Sequence, residues 1–401
     1  MRFDGFELEP QNSCDKKVRF AFASDVEPAY RFHDAQDKLR EAVLAAHASR
    51  ALENFSMTPK PNLGLDPEVF VARKDGSLLP AFEFLPEKRP SNKEFWDGYQ
   101  AEFLVWAGGC IAQRVDSIQE RLRAITRKFP EGASFMPQDV VGIDLKAAKL
   151  LPERYTMLGC DPSYHIYGDQ ADIPEDGCEL PYRFAGGHIH FGADWIIGDK
   201  PRITQMVKDL DKILAVWSVG AAASWESSKV RRRYYGLAGE FRTPAHGLEY
   251  RTLSNFFLSA PEIAHITLEI ARMAVRSSLA GFTKFWKANE EDVRNVINNY
   301  DRAGAAKMLK ENEQLFKKLL SMNVSYWHAF NDKTNLSATG ARDVAEKAVD
   351  KAFQVGLEGI EIVVPKPGSI RENWFLDTFE GINHVNERGT YHSWQALAAK
   401  L

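Results

Sequence analysis

The spacing of hydrophobic residues predicts short strands separated by turns from Asn62 onward. Leu65–Ala72 and Leu78–Leu85 are expected to form a hairpin around the turn residues Lys74, Asp75 and Gly76. Further strands are predicted at residues 99–106, 164–167, 184–191 and 248–253, and a short one near the N-terminus at residues 18–23.

Helical spacing dominates the rest of the chain. One amphipathic helix is predicted from about Cys110 to Lys128, because apolar residues recur there every three or four positions. Other helices are expected at residues 34–54, 201–230, 261–284, 289–330 and 341–355. Since strands and helices do not alternate regularly, the pattern favours an α+β fold with an antiparallel or mixed sheet backed by helices.

These elements suggest three parts. Residues 1–60 form an N-terminal extension of a strand and a helix, residues 61–288 form the central domain, and residues 289–401 form a mainly helical part packed on it. The chain has 401 residues and 44% hydrophobic content, which is enough for a sizeable core.

Charge and cysteine content narrow the class of protein. The net charge of −4 gives no basic field that would favour nucleic acid as the main partner. The four cysteines have neither a C-x-x-C pair nor zinc-ribbon spacing, which favours a reducing compartment. We find no apolar run of signal or membrane-span length and therefore expect a cytoplasmic protein without membrane partners.

Three acidic residues are candidate metal ligands. Asp66 and Glu68 are two positions apart in a predicted strand and therefore face the same side, where a divalent cation would relieve their repulsion. Glu102 lies in a strand with Leu104 and Trp106, and a carboxylate among apolar residues must be paired or metal-bound. The alternatives are a solvated strand face for the first pair and a salt bridge to an arginine for Glu102.

Two histidines follow a glycine pair in Arg183–Gly192. His188 and His190 have strand spacing and share one face, while Gly186 and Gly187 leave room for a phosphate or another backbone to approach. The alternative is a β-hairpin with a glycine bulge and two ordinary histidines.

Five arginines occur between positions 231 and 251. Arginine presents a planar fork of donors that suits polyphosphates. The favoured interpretation of Arg231, Arg232 and Arg233 taken alone is a solvated helix end, whereas Arg242 and Arg251 are stronger candidates. Arg251 has strand spacing with Glu249.

The order of these motifs resembles that in the glutamine synthetase superfamily, and most closely its phage-associated carboxylate-amine ligases. Gly-x-Asp-Pro-Glu, Asp-Gly-x-x-x-Glu, Gly-Gly-His-x-His and Glu-Tyr-Arg follow one another over residues 62–260. The resemblance implies a curved antiparallel β-sheet of the glutamine synthetase catalytic-domain type, backed by long helices and holding ATP and Mg²⁺, with Mn²⁺ as an alternative.

The resemblance also implies roles for individual residues. The implied metal ligands are Asp66, Glu68, Glu102, His188 and Glu249. The implied ATP-phosphate contacts are His190, Arg233, Arg242 and Arg251. Glu68, Glu102, Arg242 and Arg251 are the implied catalytic residues. A further acid of this family, about eight residues before Glu102, corresponds to either Glu94 or Asp97.

The implied activity is an ATP-dependent ligase that joins a carboxylate to an amine through an acyl phosphate. The family's ammonium-closing loop has no match and Gly247 replaces its usual arginine, so a larger amine is expected than ammonia. The expected partners are small-molecule or peptide substrates, with a modified nucleobase as another acceptor and a homo-oligomer as a further option. A phage-encoded protein would act in the host cytoplasm. A phosphotransferase on the same fold and a metal-dependent hydrolase or nucleotide-binding module remain alternatives.

Overall fold

The computed structural model describes residues 49–156, 163–168, 179–192, 196–223, 228–328, 338–364 and 368–374, and the single positions 46, 366 and 376. The chain divides into two compact units, Met1–Arg50 and Ala51–Leu401. The elements below belong to the second unit. The predicted domain boundaries at residues 60 and 288 stay predictions, and the predicted strand at residues 18–23 lies outside the described residues.

A ten-stranded antiparallel sheet is the centre of this unit. Its strands are β1 Asn62–Ala72, β2 Leu78–Leu79, β3 Glu94–Asp97, β4 Gln100–Phe103, β5 Val105–Gly108, β6 Ser134–Met136, β8 Tyr164–His165, β10 Gly187–Gly192, β11 Glu240–Arg242 and β12 Gly247–Tyr250. Two further strands, β7 Val140–Gly142 and β9 Tyr182–Phe184, pair separately. The main path through the sheet is β3-β4-β1-β10-β12-β11-β8, and β2, β5 and β6 also pair with β1.

Side chains along each strand point alternately to the core face and to the opposite face of the sheet. Leu63, Leu65 and Val69 of β1 are buried in the main hydrophobic core, as are Ile189 and Phe191 of β10. Neighbouring side chains in the same strands therefore face the other way. The acids of β1 and the histidines of β10 lie on that opposite face.

Helices surround the sheet, and most of them bury side chains in the main core. They are α1 Ile111–Thr126, α2 Leu145–Ala148, α3 Lys200–Leu210, α4 Val216–Ala221, α5 Ser228–Tyr234, α6 Pro261–Ala280, α7 Glu290–Asn298, α8 Arg302–Glu311, α9 Glu313–His328, α10 Ala338–Glu358 and α11 Ile370–Asn373. Helix α1 buries the predicted apolar positions, among them Ile111, Val115 and Ile118. The α+β prediction is confirmed.

Several predicted elements differ in extent. The strand expected at 184–191 is interrupted at Ala185 and Gly186, between β9 and β10. The helix expected at 201–230 is divided into α3, a π-helical turn at Asp211–Ala215, α4 and α5. The second hairpin strand ends at Leu79, because Pro80 begins a 3-10 turn at Ala81–Glu83. Among the described residues, no helix combines the length and apolar character needed to cross a bilayer.

Candidate active site

The candidate site is the face of the sheet that points away from the core. The sheet register places Asp66 opposite His188, Glu68 opposite Glu102, and Glu249 between His190 and Arg242. Side chains from β1, β4, β10, β11 and β12 therefore meet on one surface. The period-two spacing that predicted shared faces for the acid pair and for the histidine pair is reproduced by this register.

One group of candidate ligands consists of Asp66, His190 and Glu249. One ligand atom from each lies within 4.8 Å of the others. The distance from His190 Nε2 to Asp66 Oδ1 is 2.9 Å, and His190 Nδ1 lies 3.0 Å from His246 Nε2. Burial opposes charge on His190, but Asp66 outweighs that effect and raises the pKa of the imidazole. Burial likewise opposes ionisation of Asp66, and the two neighbouring histidines lower the pKa of this carboxyl well below its usual range.

The second group consists of Glu68, Asp97 and Glu102, whose carboxylate oxygens also lie within 4.8 Å of one another. Burial and the nearby charge of Asp97 raise the pKa of Glu68 to about 7. Burial and Asp66 raise the pKa of Glu102 well above its ordinary value. Two of the three carboxylates are buried, and like charges in this position repel strongly, so this group favours either a proton or a cation.

Two neighbours reduce the repulsion in the second group. The Lys88 ammonium lies 2.9 Å from Glu102 Oε1, and the backbone N–H of Gly186 donates to Glu68 Oε2 at 2.7 Å. The salt bridge considered as an alternative for Glu102 is therefore present, but with a lysine. The sequence predicted room for a phosphate or another backbone segment beside the glycine pair. In the structure, Gly186 binds the Glu68 carboxylate, and another backbone segment approaches Gly187, whose N–H donates to Leu253 O at 3.0 Å.

His188 lies between the first group and an arginine-rich region. Its Nδ1 is 3.5 Å from Asp66 Oδ1 and 3.7 Å from Glu249 Oε1, while its Nε2 contacts the hydroxyl of Tyr235. Burial and the charge of Arg251 lower the pKa of His188 to about 4. The predicted division of roles, metal for His188 and phosphate for His190, stays a prediction, and the grouping of ligand atoms includes His190 rather than His188.

The arginines occupy different environments. Arg251 is buried and pairs with Glu249, and the guanidinium of Arg242 lies 3.8 Å from the other oxygen of the same carboxylate and remains about a quarter exposed. Arg242 is therefore the arginine of this pair that a ligand can reach. Arg233 is exposed and lies over the ring of Tyr234.

Arg231 and Arg232 were considered as a solvated helix end, and this expectation is wrong. Both are buried: Arg231 donates to Leu253 O at 2.7 Å, and Arg232 donates to Thr252 O. The two guanidinium groups satisfy the carbonyls of the segment that follows β12. They stabilise that segment and are not available as phosphate contacts.

The geometry distinguishes Glu94 from Asp97. Glu94 lies on the helix side of the sheet, where Arg121 of α1 binds it at 2.5 Å and Lys128 lies 3.5 Å away. Asp97 belongs to the acidic group with Glu68 and Glu102. Gly98, with φ 58°, allows the tight β3–β4 turn that returns the chain to the sheet immediately after Asp97.

The donor sets of both groups suit divalent cations. Three carboxylates offer the oxygen ligands that Mg²⁺ and Mn²⁺ prefer, and two carboxylates with an imidazole suit Mn²⁺ or a softer ion. A cation would also neutralise the like charges that raise the pKa values of Glu68 and Glu102. The residues present therefore fit two cation sites, one at each group.

The sequence did not point to Lys88, Tyr235 or His246. Lys88 lies in a loop that precedes β3, and its distance of 14 residues from Glu102 gives no periodic signal. His246 and Tyr235 flank the Glu-x-Arg and arginine motifs, and proximity to those motifs is the only signal that could have identified them.

Comparisons with known proteins agree with part of this picture. Residues 178–338, less than half of the chain, match a family model described as "Phage phiEco32-like COOH.NH2 ligase-type 2". The predicted resemblance to phage-type carboxylate-amine ligases is thereby confirmed over this range. The range contains His188, His190, Arg242, Glu249 and Arg251, whereas the acids of β1 and β4 precede it.

One similar solved structure is a bifunctional glutathione synthetase from Pasteurella multocida, with 11% sequence identity and a TM-score of 0.37. The similarity covers 77% of this chain and 57% of that one, so the chain spans little more than half of its length. A likeness at this level carries no argument about fold or activity. No curated protein matches the chain.

Proposed function

We propose that this protein is an ATP-dependent ligase that forms an amide bond between a carboxylate and an amine. The observation that carries the proposal is the pair of ligand groups around Asp66 and Glu68, which lie side by side on one sheet face next to a reachable arginine. The family description matched by residues 178–338 names a carboxylate-amine ligase and supports the same reaction class. The fold that goes with this proposal is an antiparallel sheet of the glutamine synthetase catalytic-domain type.

The residues have distinct tasks in the proposed reaction. The first group, Asp66, His190 and Glu249, and the second group, Glu68, Asp97 and Glu102, would each hold a divalent cation. Bound Mg²⁺ or Mn²⁺ would neutralise phosphate oxygens and favour transfer of the γ-phosphoryl group. Arg242, which is partly exposed beside Glu249, would contact that group, and Arg251 would hold Glu249 in position.

The chemistry requires two bond exchanges. The substrate carboxylate takes the γ-phosphoryl group of ATP, which releases ADP and gives an acyl phosphate. The amine then attacks the acyl carbon, the amide bond forms, and phosphate leaves. A carboxylate such as Glu102 or Glu68 would accept the proton that the amine loses, since only a neutral amine can attack.

Product analysis tests the proposal directly. Purified protein would be incubated with ATP, Mg²⁺ and pools of carboxylates and amines, including amino acids, polyamines and peptides, and condensation products lacking one water would be sought by mass spectrometry. We expect ADP, phosphate and a new amide in equal amounts. A stable phosphorylated product would instead identify a phosphotransferase, and an absence of ATP consumption with every substrate pool would contradict the proposal.

An isotope experiment tests the acyl phosphate once a carboxylate substrate is found. With ¹⁸O in the substrate carboxylate, one labelled oxygen must appear in the released phosphate, because that oxygen bridges carbon and phosphorus in the intermediate. Label that stays entirely in the amide and the unreacted acid would exclude this route. The Glu249→Ala variant serves as the inactive control.

A further inference from the structure

Helix α1 begins without a side-chain cap. Its N-cap residue, Cys110, accepts no hydrogen bond from the first turn, and that turn contains no acidic residue. The N–H groups at a helix N-terminus carry partial positive charge and need acceptors, so serine, threonine or aspartate usually occupies this position. Gly108 and Gly109, which lead into α1, add no side chain beside these groups, and Gly109 is exposed. An acceptor for this end of α1 must therefore come from outside the helix.

A buried guanidinium points at the same turn. Arg272 of α6 is only 1% exposed, and its Nη2 donates to the carbonyl oxygen of Gly109 at 2.6 Å. Its Nε has no hydrogen-bond partner, and no carboxylate of the described residues forms an ion pair with it. The buried Arg121 and Arg251, in contrast, each pair with a carboxylate. A buried charge without a counter-ion is costly, so an anion would stabilise Arg272.

The surroundings of Arg272 carry more positive than negative charge. Lys60 is half-buried, and burial together with the charge of Arg272 lowers the pKa of its ammonium to about 8. Arg276 acts on Lys60 in the same direction, and Glu269 is the carboxylate that opposes them. Glu269 already accepts from Asn323 through Oε2 at 2.5 Å. One carboxylate thus faces three cationic side chains in this region.

A second arginine reaches the glycine turn from α1 itself. Arg114 Nη1 contacts the carbonyl oxygen of Trp106 in β5, and its Nε has no hydrogen-bond partner. A Cβ at Gly108 would lie 2.7 Å from Arg114 Nη1, so the glycine is what allows the guanidinium to lie against the end of the strand. A cation in the first turns of a helix opposes the partial positive charge of its N-terminus. Arg114 therefore adds to the need for an anion here.

We propose that the amino end of α1, together with Arg272 and Arg114, binds a phosphate group. Phosphate oxygens accept from the N–H groups of a helix N-terminus and from guanidinium groups, and a phosphate monoester carries about two negative charges at neutral pH. This site is separate from the candidate active site. Arg272 belongs to α6, which contributes Ile270 and Met273 to the main core, whereas Asp66 lies on the sheet face that points away from that core. The inference does not depend on the proposed ligase activity.

The first test measures phosphate binding in the presence of a chelator, so that divalent cations do not contribute. Titration calorimetry with inorganic phosphate should detect one phosphate per chain. Phosphate should also raise the melting temperature by about 2–4 °C relative to chloride at equal ionic strength. Arg272→Gln should lose both effects, whereas Arg242→Met, which alters an arginine of the opposite sheet face, should keep them.

Two results would overturn the inference at this stage. One is the absence of any phosphate-specific effect in the unmodified protein. The other is an effect that disappears in Arg242→Met and persists in Arg272→Gln, because the ion would then lie on the sheet face. Glycerol phosphate is titrated alongside. Tighter binding than that of inorganic phosphate would show that the site takes the phosphate of a larger ligand, and weaker binding would show that it takes the free ion.

The second test supplies the anion from the chain itself, and it decides the matter alone if Arg272→Gln does not fold. An aspartate at the N-cap places a carboxylate at the same N–H groups. We therefore expect Cys110→Asp to melt at a higher temperature than wild type in chloride and to bind phosphate about tenfold more weakly. Cys110→Asn provides a cap of equal size without the charge and should keep more of the phosphate affinity than Cys110→Asp. Unchanged phosphate affinity in Cys110→Asp would overturn the inference.

Discussion

Asp66 and Glu68 face the same side of one strand, yet they belong to different ligand groups and their pKa values shift in opposite directions. Asp66 lies beside two histidines, which lower the pKa of its carboxyl, whereas burial and Asp97 raise the pKa of Glu68 to about 7. The two pKa values shift in opposite directions because β1 pairs with the histidine strand β10 at Asp66 and with the acidic strand β4 at Glu68. One strand thereby provides a ligand to each of two adjacent groups.

Loss of either group should abolish catalysis and leave the fold intact. We expect Glu68→Ala and Glu249→Ala to reduce ATP-dependent amide formation by about 10³-fold, because a catalytic cation contributes several kcal/mol to transition-state stabilisation. Circular dichroism should show unchanged secondary structure in both variants. Glu131→Ala, at an exposed turn, is the matched control and should retain full activity. Near-normal turnover of either site variant at saturating Mg²⁺ would show that the cation assignment is wrong.

Asp97 and Glu94 should give opposite phenotypes. Asp97→Asn removes the half-buried member of three like charges, so we expect weaker Mn²⁺ binding, by about tenfold, without loss of stability. Glu94→Ala removes one of the two carboxylates that pair with the buried Arg121 guanidinium, the other being the more exposed Glu120, and should lower the free energy of unfolding by about 1.5 kcal/mol while Mn²⁺ binding is unchanged. Chemical denaturation and Mn²⁺ titration of both variants separate the two effects. Weaker Mn²⁺ binding in Glu94→Ala, with unchanged Mn²⁺ binding in Asp97→Asn, would show that Glu94 and not Asp97 belongs to the site.

Alternation of side chains explains what the sequence could predict. Once strands were predicted around Asp66 and His188, the period of two was enough to place the acid pair on one face and the histidine pair on one face. The choice between Glu94 and Asp97 was not accessible, because it depends on a turn at Gly98 that separates β3 from β4 and on a partner, Arg121, from another layer.

The spacing of residues along the chain did not predict which charged side chains are buried. Arg231 and Arg232 have the spacing of an exposed helix end, but they donate to carbonyls of Thr252 and Leu253, about twenty residues later in the chain. Tyr235 and Lys88 likewise reach the site only through tertiary contacts. Residues of this kind are recognised by what they contact, and their sequence neighbours carry no equivalent signal.

Lys88 should compete with a cation at the second group. Its ammonium neutralises Glu102 at 2.9 Å, although its side chain is 62% exposed. An ion pair with this exposure contributes about 0.2–1 kcal/mol, so Lys88→Met should tighten Mn²⁺ binding at this group by up to about fivefold. Lys74→Met, in the exposed β1–β2 turn, is the control and should leave the affinity unchanged. Weaker Mn²⁺ binding in Lys88→Met would show that the lysine supports the site rather than competing with the cation.

Asp211 should make the protein less stable as the pH rises. It is buried in the π-helical turn and accepts a hydrogen bond from Tyr250 at 2.5 Å, and burial raises the pKa of its carboxyl from 3.8 to about 7. Between these values the folded protein keeps a proton that the unfolded chain has released, so the free energy of unfolding falls with increasing pH through this window. The penalty is fully present above pH 7.

Asp211→Asn removes this ionisation and keeps an oxygen that can accept from Tyr250. We therefore expect its melting temperature to exceed that of wild type at pH 8 and to approach the wild-type value near pH 4, where the aspartic acid of the folded protein is also neutral. Thermal unfolding of both proteins from pH 4 to pH 8 in cation-free buffer provides the measurement. The difference between the two curves isolates Asp211 from the other titrating groups, because those groups are common to both proteins. A difference that does not grow with pH would mean that Asp211 is ionised in the folded protein throughout this range, with Arg232 and the surrounding donors outweighing its burial.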